Sequence, residues 1–262
     1  MEIRTDASVG ARRAHLEQHV PDGFHVRAAA FLPARVTYVR HVVLERLGID
    51  PSGSQALVVG SGRGLLAREL ARLGFMVTAL DPDEAAVRLA QEGSAREGLP
   101  GNYEVGDARR LPYDDGAFDL AYYQDTLETT DDLNRVLSEA ARVLRPRGAL
   151  LYDTVNRTAI SGLIYLGALQ SWRWTRMMPR NRYAWERLRP PDELAATMSK
   201  QGLRNQDVSA LMPASPLRLL RAMLRARRGG IEGAELARLA GMHVAPRGKR
   251  PEVTYLGFAT EH

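Results

Sequence analysis

The sequence predicts an α/β protein with a doubly wound parallel sheet, and three observations carry that expectation. Residues 56–59 (Ala-Leu-Val-Val) are a short apolar run that stops at Gly60, Gly62 and Gly64. Leu65, Leu66, Leu70 and Leu73 then fall at helical spacing, and residues 76–80 form a second apolar run ending on Asp81. Beyond it, short apolar strands alternate with amphipathic helices as far as Thr154, the order that parallel strands joined by helical crossovers impose. Finally, 262 residues with 45% hydrophobic and 26% charged side chains suffice for one large core with an added cap.

Taken in order, residues 1–50 read as an N-terminal helical cap. Phe31, Val36, Val39, Val42, Val43 and Leu47 recur near helical period until Gly48 and Pro51 break it. Residues 51–158 form the core. After Asp81, Asp83 caps a helix whose inner face is Ala86, Val87 and Ala90. Residues 103–105 and 118–123 are the third and fourth strands. Thr130, Asp131 and Asp132 open a helix striped by Leu133, Val136, Leu137, Ala140 and Leu144. Arg145-Pro146-Arg147-Gly148 ends it, and 149–154 is the fifth strand. Residues 159–250 read as a lid with the remaining core elements, and 251–262 as a C-terminal strand of the core.

A strand, glycine turn, helix, strand and terminal acid place a nucleotide at the carboxyl edge of a parallel sheet, with the acid accepting from ribose hydroxyls. The dinucleotide fingerprint needs a glycine at the sixth position of its loop, and counting from Gly60 that position is Leu65. The NAD reading therefore fails. Bare backbone in the turn allows a ligand close approach and exposes N–H donors.

Gly60-Ser61-Gly62-Arg63-Gly64, followed by a strand ending in Asp81, resembles motifs I and II of the class I S-adenosylmethionine-dependent methyltransferases. Gly106-Asp107-Ala108, with Leu111-Pro112-Tyr113 and Phe118-Asp119 after it, resembles their third and fourth motifs. Leu144-Arg145-Pro146-Arg147-Gly148 is similar to the segment before their fifth strand. Leu127-Glu128-Thr129, Thr154-Val155-Asn156-Arg157 and Arg189-Pro190-Pro191-Asp192-Glu193-Leu194 resemble the ubiquinone-biosynthesis O-methyltransferases, and the likeness spans roughly residues 30–210.

The resemblance implies a Rossmann-like core, S-adenosyl-L-methionine as cofactor and S-adenosyl-L-homocysteine as product. It implies cofactor contacts from Gly60, Ser61, Gly62, Gly64, Asp81, Pro82, Asp107, Ala108 and Gln124. Asp81 would take the ribose and Asp107 the adenine amino group, against the plainer readings of a helix cap and a turn aspartate. Two positions depart from the family pattern: Val58 stands where an acid helps hold the methionine amino group, and Thr129 where a histidine stands. Asp125 and Glu128 keep two of the family's acidic positions and are the candidate catalytic residues, with His25 in the cap as another base. Without the imidazole no metal is assigned, although two carboxylates and waters suit Mg²⁺. The reaction expected is methyl transfer to a hydroxyl of a hydrophobic, aromatic small molecule. The alternatives are N- or C-methylation of a metabolite and a non-catalytic cofactor-binding protein.

The net charge of +5 hides an asymmetry. Residues 172–250 hold 17 Arg or Lys against 6 Asp or Glu, while the rest holds 19 against 25. Such a surplus suits an anionic or membrane-surface partner or an ordinary solvated face, and no nucleic-acid module accompanies it. Residues 160–178 carry a heavy apolar load that includes Leu163, Tyr165, Leu169, Trp172 and Trp174, which points to a greasy acceptor. In 217–228, Leu217, Leu220, Met223 and Leu224 share a helix face beside a stripe of Arg218, Arg221, Arg225 and Arg228. That helix either lies on an anionic membrane or packs its apolar face on the domain. Absent cysteines exclude disulfides and thiolate metal sites. Glu2, Arg4 and Asp6 argue against a signal peptide, and no run reaches spanning length, so the expected setting is cytoplasmic, with peripheral membrane contact as its extension.

Overall fold

A computed structural model describes residues 23–231, 233–246 and 248–261. The first 22 residues of the expected cap, with Glu2, Arg4 and Asp6, lie outside the described residues. Eight strands form one sheet: β1 (Gln55–Val59), β2 (Met76–Asp81), β3 (Asn102–Val105), β4 (Phe118–Tyr123), β5 (Leu144–Val155), β6 (Leu203–Pro213), β7 (Met242–Val244) and β8 (Thr254–Glu261). Their order across the sheet is β3-β2-β1-β4-β5-β8-β6-β7. The first five run parallel, and β8 enters antiparallel between β5 and β6. The order reverses beside β1, between β2 and β4, which is where a doubly wound sheet opens a crevice at its carboxyl edge.

Alternation along each strand sorts the core into two layers. Ala56 and Val58 of β1 face one side with Leu120 and Tyr122 of β4; Leu57 and Val59 face the other with Ala121 and Tyr123. The first layer is closed by α1 (Gly23–Arg40), α2 (Leu65–Leu73) and α3 (Glu84–Arg96). The second is closed by α4 (Leu133–Val143) and α5 (Pro191–Lys200). The expected caps are present: Asp83 accepts from Ala85 N–H at 2.9 Å, and Asp132 accepts from Arg135 N–H at 3.0 Å.

Within the described residues helix α1 reaches back to Gly23, eight residues before the periodicity at Phe31, and Val26, Ala29 and Ala30 of this added stretch are also buried. It continues with π-type bonding through His41–Leu47 and ends where Gly48 takes φ +64°. Its buried face carries two charges, Arg27 and Arg35, among Val26, Ala30, Phe31, Ala34 and Tyr38.

The segment expected to be a lid divides in two. Residues 159–189 run past the carboxyl edge of the sheet, tied to β5 through a small cluster of Val155, Tyr165, Met178, Tyr183 and Leu188. By contrast α6 (Pro216–Arg227) and α7 (Gly233–Ala240) stack on α1. The expected apolar face of α6 holds only in part: Met223 is buried, together with Ala222 and Ala226, whereas Leu217 is 66% and Leu220 45% exposed. Small alanines admit close approach to the neighbouring helices, which outweighs the larger transfer energy of leucine at this interface. Among the described residues no helix is long and apolar enough to cross a membrane.

Candidate active site

The carboxyl ends of β1, β2, β3 and β4 open into one cleft of about 650 Å³, roofed at one end by residues 24–28 of α1. Each of the three turn glycines has its own cause. A Cβ on Gly60 would collide with the Gln124 carbonyl and the Thr126 hydroxyl, so this position lets β4 approach β1. A Cβ on Gly64 would sit 2.8 Å from the Tyr103 ring and 2.9 Å from Ala90, so this position seats α2 against α3. Gly60 and Gly62 line the cleft, and of the three only Gly62 (φ +53°) faces open space. The expected array of free N–H donors is spent internally. The Gly60 and Ser61 amides donate to the Leu80 carbonyl, Gly64 to Ser61, and Gly62 to Asp81 Oδ2 at 2.8 Å. These four amides are engaged within the turn and with β2, and the turn offers a ligand clearance.

Asp81 ends β2 at the base of the cleft. Its Oδ2 accepts from Gly62 and its Oδ1 from Asp83 N–H at 2.9 Å, which leaves lone pairs on both oxygens for further donors. Burial raises its pKa above the ordinary carboxylate value, against the lowering effect of those amides. Pro82, Asp107, Ala108 and Gln124 also line the cleft; Ser61 and Gly64 do not. Asp107 is exposed and engaged by its own turn, accepting from Arg109 Nε and Nη2 at 3.0 and 2.7 Å, a fork that lowers its pKa. A cleft of this size, with one open glycine, a carboxylate at the end of β2 and Gln124 after β4, accommodates a nucleoside carrying an amino-acid tail.

The two candidate catalytic acids part company. Asp125 follows β4 in a left-handed conformation (φ +49°) and lines the cleft. Its Oδ1 pairs with Arg27 and accepts from Arg35 Nη2 at 2.8 Å. Glu128 is wholly buried and outside the cleft lining; Thr154 donates to its Oε2 at 2.9 Å and Arg27 lies 3.8 Å from Oε1. Burial raises its pKa, with Arg27 opposing. Behind them Asp153, also fully buried, accepts from Arg35 at 2.6 Å and from the Tyr122 hydroxyl at 3.1 Å. Arg27, Arg35 and Asp153 were not expected from the sequence; the available signal was two arginines eight apart on an otherwise apolar helix face. Val58 faces this same layer, next to Tyr122 in the sheet, so the layer lacks an acid on β1 and has one on β5.

Thr129 lines the cleft with its hydroxyl turned inward, donating to the Thr126 and Asp125 carbonyls at 3.0 and 3.2 Å. His25, Phe24 and Ala28 line the roof from α1, and Arg182 closes it from the segment after β5. Among the described residues no three His, Asp or Glu side chains converge as metal ligands.

Comparison with known proteins agrees with this geometry. A methyltransferase-domain family model matches residues 57–152. The ubiquinone biosynthesis O-methyltransferase of Xanthomonas axonopodis pv. citri (strain 306) is 32% identical over 193 residues, covering 73% of this chain and 77% of that protein. The enzyme of the same name from Methylobacterium sp. (strain 4-46) is 31% identical over 189 residues, covering 70% and 75%. Among solved structures, a putative sarcosine dimethylglycine methyltransferase from Galdieria sulphuraria superposes with a TM-score of 0.57 over 86% of this chain and 84% of that one, at 18% identity, and shares the fold. A glycine turn, an acid ending β2 and an acid after β4 around one cleft, on a sheet of this order and with relatives of this identity, make the chain a member of the S-adenosylmethionine-dependent methyltransferases, in the family of the ubiquinone-biosynthesis O-methyltransferases.

Proposed function

We propose that this methyltransferase acts on a hydroxyl of a hydrophobic, aromatic small molecule, and that Asp125 receives the hydroxyl proton. The observation that carries the proposal is the placement of Asp125 between Gln124 and the α1 roof. Its Oδ1 is taken by two guanidinium groups, while Oδ2 accepts no hydrogen bond from the described residues. When bound, the cofactor supplies a methyl group on a sulfonium, already an activated electrophile. The protein's part is therefore to hold the acceptor oxygen in line and to take its proton as the new C–O bond forms and the S–C bond breaks. Arg27 and Arg35 fix the Asp125 carboxylate from behind, and the Phe24 ring gives the roof an apolar surface. Glu128, without access to the cleft, serves to anchor Arg27. Gly60, Gly62, Asp81, Pro82, Asp107, Ala108 and Gln124 would hold the cofactor.

A radiolabelled-methyl screen over catechols, phenols and amines tests the reading. Label in methyl ethers supports it; label confined to amines or carbon overturns it. The hydrophobic acceptor is supported by apolar side chains left open after β5, with Ile160 49%, Leu163 59% and Trp172 50% exposed. A peripheral contact with anionic membrane belongs to the same proposal, since Leu217 and Leu220 stand exposed on α6 beside Arg218, Arg221, Arg225 and Arg228. Salt-sensitive co-sedimentation with anionic but not neutral vesicles supports that contact, and its absence at low salt removes it.

A further inference from the structure

Arg182 closes the cleft over Asp125 and stands apart from the other arginines around it. Arg27 and Arg35 are paired with Asp125 and Asp153, and Arg109 is forked onto Asp107. Arg187 holds Asp131 at 2.7 Å, and Arg189 donates to the Leu127 carbonyl at 2.8 Å. Among the described residues no carboxylate pairs with Arg182, although it reaches into a cleft lined by Asp81 and Asp125. Its Nη2 lies 3.5 Å from the Asp125 carbonyl, at the limit of a hydrogen bond. Its Nε is buried with no hydrogen-bond partner.

This guanidinium is also held in place. The Phe24 ring centroid lies 4.3 Å from Cζ, setting the plane of the group against the roof. The backbone on either side is pinned, with Arg187 donating to the Asn181 carbonyl at 3.1 Å. Arg187 donates to the Arg182 carbonyl at 3.1 Å, and the Gln170 side chain brackets Tyr183, accepting from its N–H at 2.7 Å and donating to its carbonyl at 3.0 Å. A planar fork, fixed by packing, with its Nε shut in and no carboxylate from the described residues on its Nη nitrogens, is shaped to receive a planar two-oxygen anion end-on.

We propose that Arg182 is a carboxylate-recognising residue of the cleft, taking the two oxygens of a ligand carboxylate end-on with its two Nη nitrogens. Two ligands bring that chemistry here: the amino-acid tail of the cofactor, or an acidic acceptor in which a carboxylate stands on the ring that bears the hydroxyl. The second source rests on the O-methylation reading, the first only on family membership.

Isothermal titration of wild type, R182M and R182K separates them, with thermal melting to establish that each variant is folded. The first arm compares S-adenosyl-L-homocysteine with its decarboxylated analogue. The second compares 3,4-dihydroxybenzoate with catechol on protein saturated with S-adenosyl-L-homocysteine. The expected result is a loss of about ten- to a hundredfold for the carboxylate-bearing member of one pair in R182M, with its carboxylate-free partner unmoved and R182K in between. The arm in which the loss appears identifies the source. If neither pair shows a carboxylate preference that R182M removes, the proposal is overturned. Both arms read binding alone, so a failed methyl-transfer screen would sink the O-methylation reading without deciding this one.

Discussion

Arg35 of α1 donates to Asp153 of β5 across 2.6 Å, with both side chains shut away from water. This pair ties the helical cap to the middle of the sheet. Taking two charges out of water is costly, and removing one partner leaves the other stranded, so R35M or D153A should each cost about 3–5 kcal/mol. The double variant R35M/D153L should recover much of that loss. Urea unfolding decides; single variants that cost under about 1 kcal/mol would show that α1 docks without the pair.

Asp81 predicts a pH dependence with a definite sign. Its raised pKa means that the carboxylate is lost as acceptor when the pH falls through a value above that of a free aspartate, about 3.9. Affinity for S-adenosyl-L-homocysteine should therefore be full at neutral pH and begin to fall, on acidification, earlier than an ordinary carboxylate would allow. D81N should weaken binding by about 1–3 kcal/mol at pH 7 and flatten the acid limb. A folded D81N protein with unchanged affinity would remove Asp81 from the ribose.

The turn glycines should separate clearance from packing. G62A places a methyl in open space at φ +53°, costing about 1 kcal/mol of stability while obstructing the cleft. G64A drives a methyl against Tyr103 and Ala90, costing about 1–3 kcal/mol of stability or more. Titration should find G62A the poorer binder and melting should find G64A the less stable; the opposite order would mean that their roles are reversed.

Asp125 and Glu128 should part company in turnover. D125N should lower kcat about a hundredfold or more with affinity for S-adenosyl-L-homocysteine close to wild type. E128Q keeps the shape of a buried group whose carboxyl already has a raised pKa, so kcat should stay within a few-fold. Full activity in D125N would make the reaction one of positioning alone.

The core was legible where its causes are local. A glycine turn, leucines at helical spacing and an acid closing a strand are neighbours in sequence, and β1, α2, β2 and β4 stand where those patterns put them. The cluster beneath Asp125 was not, because Arg27 and Arg35 meet their carboxylates only through the topology of the sheet, about ninety to over a hundred positions away. Local pattern also favoured the leucines of α6 over its alanines, since side-chain size signals burial only until two helices need to come close. The amides of the turn were expected at the ligand and are consumed by Leu80, Ser61 and Asp81, a bookkeeping of donors that only coordinates reveal.

The position of β8 has a consequence in time. Strands β5 and β6 are made first, yet each pairs with β8 and not with the other, so an empty slot persists between them until residues 254–261 emerge. Until then β5 presents an unpaired edge, and β6 and β7 have no sheet to join. The nascent chain therefore carries its nucleotide cleft on an unfinished platform, exposed to aggregation and proteolysis, and the last described strand closes the fold like a keystone.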